Sequence, residues 1–193
     1  MARPREFDPD DALDKAMHQF WAKGYYDTSI RDLIERTGVN YYGLYGTFKN
    51  KRGLFLASLD RYRELVTSEI VGALKKPGPV HRVIAKAFDR LLDLTQTPDG
   101  RVGCLMCNTA VEVAPHDADV AAKVKAHSDL LTKAFRARLV EARDAGELSA
   151  DKDVKALAEF LATTAYSAGL LSRAGFDRKR VKQHIKTALS TLV

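Results

Sequence analysis

Two thiols stand three residues apart, Cys104 and Cys107, in the stretch GCLMCN. On a helix that spacing can place both on one face. Such a pair suits a redox switch or a soft-metal site, because the thiolate is both the reactive and the ligating form. One C-x-x-C pair supplies only half of a tetrahedral zinc set, and the chain has no second pair. Free cysteine is also an ordinary core residue. A second cluster, Glu112, His116, Asp117 and Asp119, offers oxygen and imidazole donors to a metal. Pro115 interrupts a helix between them, and the acids fit the start of the next one. Capping and solvation therefore account for that cluster, and no metal is expected. His81, His127 and His184 stand alone among charged neighbours and are expected at the surface. No G-x-S-x-G, Walker, G-x-G-x-x-G or H-E-x-x-H motif occurs. No enzyme chemistry and no cofactor are expected.

The stretch TSIRDLIERTGVNYYGLYGTF, Thr28 to Phe48, carries a different chemistry. Ser29 and Asp32 have capping-box spacing, with Thr28 as an alternative cap. Ile30, Leu33 and Ile34 make an apolar face at helical spacing. Gly38 falls where that helix must stop, and Asn40 can cap the next. In the second helix Leu44 and Phe48 are four apart and should face inward. Tyr41, Tyr42, Gly43, Tyr45 and Thr47 remain for the other face, which is aromatic, hydroxylated and uncharged. Such a face can approach base edges without stranding charge. Gly43 costs an isolated helix roughly 1 kcal/mol relative to Ala, a cost consistent with close approach to another surface. Lys49, Lys51 and Arg52 follow at the start of a further helix, where phosphate is favoured.

At these residues the sequence resembles the TetR family of one-component transcriptional regulators. The resemblance rests on GYYDTSIRDLIERTGV, on GLYGTF and on KNKRGLF, and covers about residues 5 to 60. The stretches GCLMCNTAVEVAPHDADVAAKV and AYSAGLLSRAG look like the ligand-binding half of one branch of that family. The resemblance implies a homodimeric repressor on a palindromic operator, released when a small molecule binds among the helices beyond Leu65. An alternative is a DNA-binding regulator that responds to oxidation through Cys104 or Cys107. A helical enzyme with an accidental helix-turn-helix match is a third reading.

The elements that must position these residues can be traced along the chain. Of the 193 residues, 46% are hydrophobic and 29% charged, enough for a sizeable core. The net charge of +6 favours an anionic partner such as nucleic acid. No apolar run is long enough to span a bilayer and no signal peptide is seen, so no membrane partner is expected. Two cysteines without a secretion signal suit a reducing cytoplasm. Ala2, Arg3, Pro4 and Arg5 form a basic arm that could reach a minor groove or remain a solvated tail. Asp8 caps a first helix, with Pro9 in its first turn, Leu13, Ala16, Met17, Phe20 and Trp21 buried, and Gly24 at its end. Helices of about Ile30 to Arg36 and Tyr41 to Phe48 follow, then a long one from about Lys51 to Leu74. Five more are expected after Val80: to Thr95, from Val102 to Val113, from Asp117 to before Gly146, from Ser149 or Asp151 to Arg173, and from Asp177 onward. The fold class is thus all-α with about nine helices: a three-helix DNA-binding domain over 5–60 and a helical effector-binding and dimerisation bundle over 61–193.

Residue roles follow from that arrangement. Tyr41, Tyr42, Gly43 and Thr47, with Arg31 from the preceding helix, are expected against bases or nearby phosphates. Thr28, Tyr45 and Lys51 are expected to position phosphates. Tyr62, Phe88, Leu92, Met106 and Tyr166 are candidate effector-pocket residues. Phe160, Leu161, Ala168 and Leu171, with Ile185 and Leu189, are candidates for a four-helix dimer interface.

Overall fold

The computed structural model describes residues 7–97 and 100–192. The basic arm at residues 2–5 and the loop tip at 98–99 lie outside the described residues. The chain is all-α, and each of its first four helices starts on a local side-chain cap. Helix α1 (Pro9–Lys23) is capped by the Asp8 carboxylate and ends at Gly24, whose φ of 92° suits a residue without Cβ. Helix α2 (Ile30–Thr37) opens on the reciprocal Ser29–Asp32 capping box and closes on Gly38 in the left-handed region. Helix α3 (Tyr41–Phe48) is capped by Asn40, whose Oδ1 accepts from Gly43 N at 2.9 Å. Helix α4 (Lys51–Val66) is capped by Asn50.

The tie between α3 and α4 is tighter than the sequence suggests. Lys49 has φ 69° and ψ −55°, and Asn50 N donates to Phe48 O at 2.9 Å across it. That is a γ-turn, a strained conformation for a residue with a side chain. It carries Phe48 O against α4, where a Cβ on Gly53 would lie 2.2 Å from that oxygen.

Beyond Val66 the helical path continues, but as a π-turn over Thr67–Val71 and a last turn over Gly72–Leu74. The expected long fourth helix is therefore present with a wider turn in its distal half. Next come α5 (Val80–Leu94), a two-residue antiparallel pairing of Gln96–Thr97 with Gly100–Arg101, α6 (Leu105–Glu112), α7 (Ala118–Asp144), α8 (Val154–Arg173) and α9 (Arg178–Leu189). Helix α6 starts at Leu105, later than the expected Val102. Gly103, at φ 67°, packs against α8 so closely that a Cβ there would sit 2.7 Å from Gly169 O. Asp153 caps α8, in place of Ser149 or Asp151.

One apolar core runs from Ala12 through Leu192. Helix α1 packs on α2 and α4, and α8 packs on α7 and α9. The inner face of α7 carries Val120, His127, Leu131, Phe135, Leu139 and Ala142. His127 is thus a core residue, and its expected surface position is corrected: the helical period turns it inward despite charged sequence neighbours. Ile30 is likewise corrected, being 43% exposed, while Leu33 carries the burial of α2.

Candidate nucleic-acid interface

Helix α3 presents one outward face. Tyr42 stands out from it at 85% exposure, with Tyr41 beside it at a ring separation of 5.7 Å. One turn on from Tyr42, Gly46 faces open space, since a Cβ there would meet nothing within 4 Å. Leu44 is fully buried and holds the helix to the core. The face is therefore two tyrosine rings beside a bare stretch of backbone.

Several expected residues take other positions. A Cβ on Gly43 would meet Val39 and Phe7 side chains at 3.0 and 3.2 Å, so this glycine serves internal packing. The open position on this helix is instead Gly46, one turn beyond Tyr42. Thr28 is fully buried, with its hydroxyl donating to Gly24 O at 2.6 Å, and so cannot position a phosphate. Tyr45 is also buried: its hydroxyl has no partner, its ring lies under Tyr41 at 4.8 Å, and burial pushes its pKa up. Thr47 is half-buried, and its hydroxyl donates to Gly43 O at 3.2 Å. Arg31 is exposed and pairs with Glu35 at 2.7 Å, a surface contact weak enough to exchange. The Lys51 ammonium lies 4.5 Å over the Tyr25 ring, where burial lowers its pKa.

Arg52 does not stand free for phosphate. It donates to both oxygens of Asp117, at 2.7 and 2.9 Å, and to Asp119 at 2.7 Å. This ties the start of α4 to the start of α7, and the guanidinium holds the Asp117 carboxyl down at about 2. A depressed carboxylate stabilises above its unfolded pKa, near 3.8, and loses that contribution as pH falls toward its folded value. The melting-temperature gap between wild type and Arg52→Ala should therefore stay constant from about pH 5 to 8 and close as pH falls toward 2. A gap that widens on acidification would contradict this tie.

Glu112 has a comparable role at the other end of α6. Its Oε1 accepts from Tyr26 N at 2.7 Å, and its carboxylate packs over Gly24. Among the described residues no group of three or more metal-binding side chains converges.

Trp21 completes the joint between α1 and the rest. Its Nε1 donates to Gly103 O at 3.1 Å, its ring meets Tyr62 edge-on at 4.9 Å, and Arg173 Nη2 donates to Ala22 O at 3.0 Å.

Two of the hollows in the bundle border expected pocket residues. A groove of about 700 Å³ opens between α6, α7 and α8, with Cys107, Val111, Val124, Tyr166 and Leu170 on its walls. An internal cavity of about 20 Å³ is lined by Tyr62, Cys104, His127 and Tyr166 among others. Of the expected pocket residues, Tyr62 and Tyr166 line a hollow, whereas Phe88, Leu92 and Met106 are packed in the core. Of the expected interface residues, Leu161, Ala168 and Ile185 are turned into the subunit's own core. Leu171 and Leu189 are half-buried and Phe160 is 44% exposed.

Known proteins match this architecture along its whole length. A family model described as bacterial regulatory proteins, tetR family, matches residues 12–58. A model of the tetracyclin repressor-like C-terminal domain matches residues 77–188. The uncharacterized HTH-type transcriptional regulator YezE of Bacillus subtilis (strain 168) is 33% identical over 100% of both chains. The HTH-type transcriptional repressor ComR of Escherichia coli (strain K12) is 34% identical over 97% of this chain and 90% of its own length. A cysteine mutant of the TetR family transcriptional regulator CifR, complexed with 26bp double-strand operator DNA, superposes with a TM-score of 0.89 at 26% identity over 100% of both chains. Two domain matches in order, full-length relatives above 30% identity and the same fold place the chain in the TetR family of DNA-binding transcriptional regulators.

Proposed function

We propose that this regulator is a cytoplasmic homodimeric repressor that leaves a palindromic operator when a small molecule binds between its helices. The observation that carries the reading is the outer face of α3, where Tyr42 and Gly46 offer an exposed ring and open backbone one turn apart. The reading head, residues 5–60, lays that face in a major groove. Tyr41 and Tyr42 meet base edges and sugar, and Gly46 lets the helix backbone come close. Arg31 gives up Glu35 for guanine or phosphate, and Lys51 and Thr47 lie at the edge of the contact. CifR complexed with operator DNA and the repressor ComR support both the partner and the sign of regulation.

Dimerisation uses the last two helices, α8 and α9, where Phe160 is exposed and Leu171 and Leu189 are half-buried. The groove beside Val111 and Leu170 is where an apolar effector fits, because it is roomy and lined by aliphatic and aromatic side chains. Residues 61–193 thus carry effector and partner, and α4 connects them to the reading head.

The test is selection of bound sequences from random duplex DNA at two salt concentrations. A palindrome whose specificity survives the higher salt is expected; binding that is sequence-independent and lost with salt would sink the reading. On the selected operator, Tyr42→Ala should weaken binding about tenfold or more, with stability unchanged within about 0.5 kcal/mol because the side chain is exposed. Equal affinity of wild type and variant would remove α3's outer face from the contact.

A further inference from the structure

We infer that Cys104 and Cys107 form a dithiol switch, closed to an intramolecular disulfide by hydrogen peroxide and read at the joint between α1 and α4. The inference rests on the operator-binding reading for its effect on DNA, while the disulfide itself does not.

The placement of the pair on α6 is what allows closure. Two residues three apart inside a helix have Cβ atoms about 5–6 Å apart, too far for a disulfide, which needs about 3.5–4.5 Å. Cys104 is not inside the helix: it is the N-cap, with extended φ −107° and ψ 120°. Its Cβ is thereby freed from the helical lattice, while the Cys107 thiol, one turn on, donates to Tyr166 O at 3.7 Å. A helix N-terminus with C-x-x-C spacing favours the thiolate of the first cysteine. Contacts with Cys107, His127 and Tyr62 act in the same direction and hold Cys104 well below the ordinary thiol range. Cys107 is pushed up, first by that contact with Cys104 and then by burial. The pair is thus a nucleophile and a protonated resolving thiol.

Room and access suit a small oxidant. Cys104 borders the internal cavity of about 20 Å³, which also meets His127. The His127 Nδ1 is buried without a hydrogen-bond partner. A space of that size holds a water-sized molecule and excludes larger oxidants. Tyr166 borders both this cavity and the open groove, and Cys107 lies on the groove side between them.

The chemistry balances in two steps. The Cys104 thiolate attacks one oxygen of hydrogen peroxide; the O–O bond breaks, and the other oxygen leaves as hydroxide, which takes from solvent a proton equal to the one the Cys104 thiol gave up on ionising and becomes water. The resulting sulfenic sulfur is attacked by the Cys107 sulfur; its proton joins the departing hydroxide, and a second water leaves. Two thiols are oxidised by two electrons to one disulfide, and one peroxide is reduced to two waters.

Closure is felt outside the pair. Tyr62 on α4 donates to Cys104 Sγ at 3.4 Å, and turning that sulfur toward Cys107 strips the fully buried tyrosine of its acceptor. The same Tyr62 ring meets Trp21 of α1, and Trp21 bonds to Gly103, the residue before Cys104. Gly169 lies so close that a Cβ there would be 2.7 Å from Cys104 Cβ, so α8 blocks movement on that side and directs it into α1 and α4.

The test combines intact mass, fluorescence of the sole tryptophan, Trp21, and operator affinity, with and without stoichiometric hydrogen peroxide. Wild type should lose two hydrogens as a monomeric chain, shift its Trp21 emission, and bind the selected operator about tenfold more weakly, all reversed by dithiothreitol. Cys107→Ser should stop at a sulfenic acid on Cys104 and keep its affinity under the same dose. Cys104→Ser should be inert. Failure to form the disulfide, or a Cys107→Ser variant that loses affinity as wild type does, overturns the switch. A disulfide that leaves Trp21 emission unchanged overturns its coupling to the joint. If no operator is found yet mass and fluorescence respond, the repressor reading has failed and the switch stands.

Discussion

A Trp21→Ala variant should lose about 3–5 kcal/mol of stability, a large share of what holds a domain of this size together. The indole is among the largest fully buried side chains and touches three parts of the fold at once. Its ring packs on Tyr62 of α4 and stacks on His18 of α1, and its N–H satisfies Gly103 O ahead of α6. Truncation removes the packing and leaves a buried carbonyl without a donor, and the two losses compound. Trp21→Phe separates them. It keeps most of the ring but strands Gly103 O, and should cost about 1–3 kcal/mol. Urea unfolding followed by circular dichroism reads both, since tryptophan emission is lost with the residue. A cost below about 1.5 kcal/mol for Trp21→Ala would mean that the joint is loosely packed and cannot pass strain from α6 to α1.

The second large effect is at Gly53. An alanine Cβ would come within 2.2 Å of Phe48 O, a backbone atom held by the γ-turn at Lys49. Side chains can step aside, but this oxygen cannot move without opening the turn that also bonds Asn50 N. Gly53→Ala should therefore cost roughly 2–3 kcal/mol, the upper range for overpacking, although alanine is the better helix former. Operator affinity should fall with it, because the turn sets the angle of α3 on α4. The control is Gly72→Ala on the same helical path, where a Cβ meets nothing within 4 Å. It should be neutral or slightly stabilising. Thermal melts of the two variants side by side decide the matter: equal melting temperatures would mean that the α3–α4 turn relaxes freely.

Most helix starts were legible because their causes are local. Asp8, Ser29 with Asp32, Asn40, Asn50, Asp117 and Asp177 all cap the helices that follow them. Each needs only its own side chain and the next turn of backbone. The outward placement of Tyr41 and Tyr42 was legible for a similar reason, since Leu44 fixes the helix phase. What escaped depends on contacts that exist only once the chain is folded. Gly43 and Gly46 look alike in sequence, and only Val39 and Phe7 distinguish them. Arg52 reads as a phosphate ligand until Asp117 is folded beside it. Thr28 reads as a free hydroxyl until its bond to Gly24 O is seen. His127 sits between charged residues in sequence, and the inner face of α7 decides its burial. The pocket and interface residues were chosen by helix position alone, which does not say whether an apolar face meets its own core or something else.

The bonds that finish α1 come from residues the ribosome has not yet made when α1 emerges. Trp21 waits for Gly103, 82 positions later, and Ala22 O waits for Arg173, 151 positions later. At a synthesis rate of roughly 5–20 residues per second, that second partner arrives about 8–30 s after Ala22 itself. Through that interval the nascent reading head carries a large apolar ring and open carbonyls that its own segment cannot cover. Completion of this joint is then gated by completion of the chain, and a fragment released by a premature stop before Gly103 lacks both bonds.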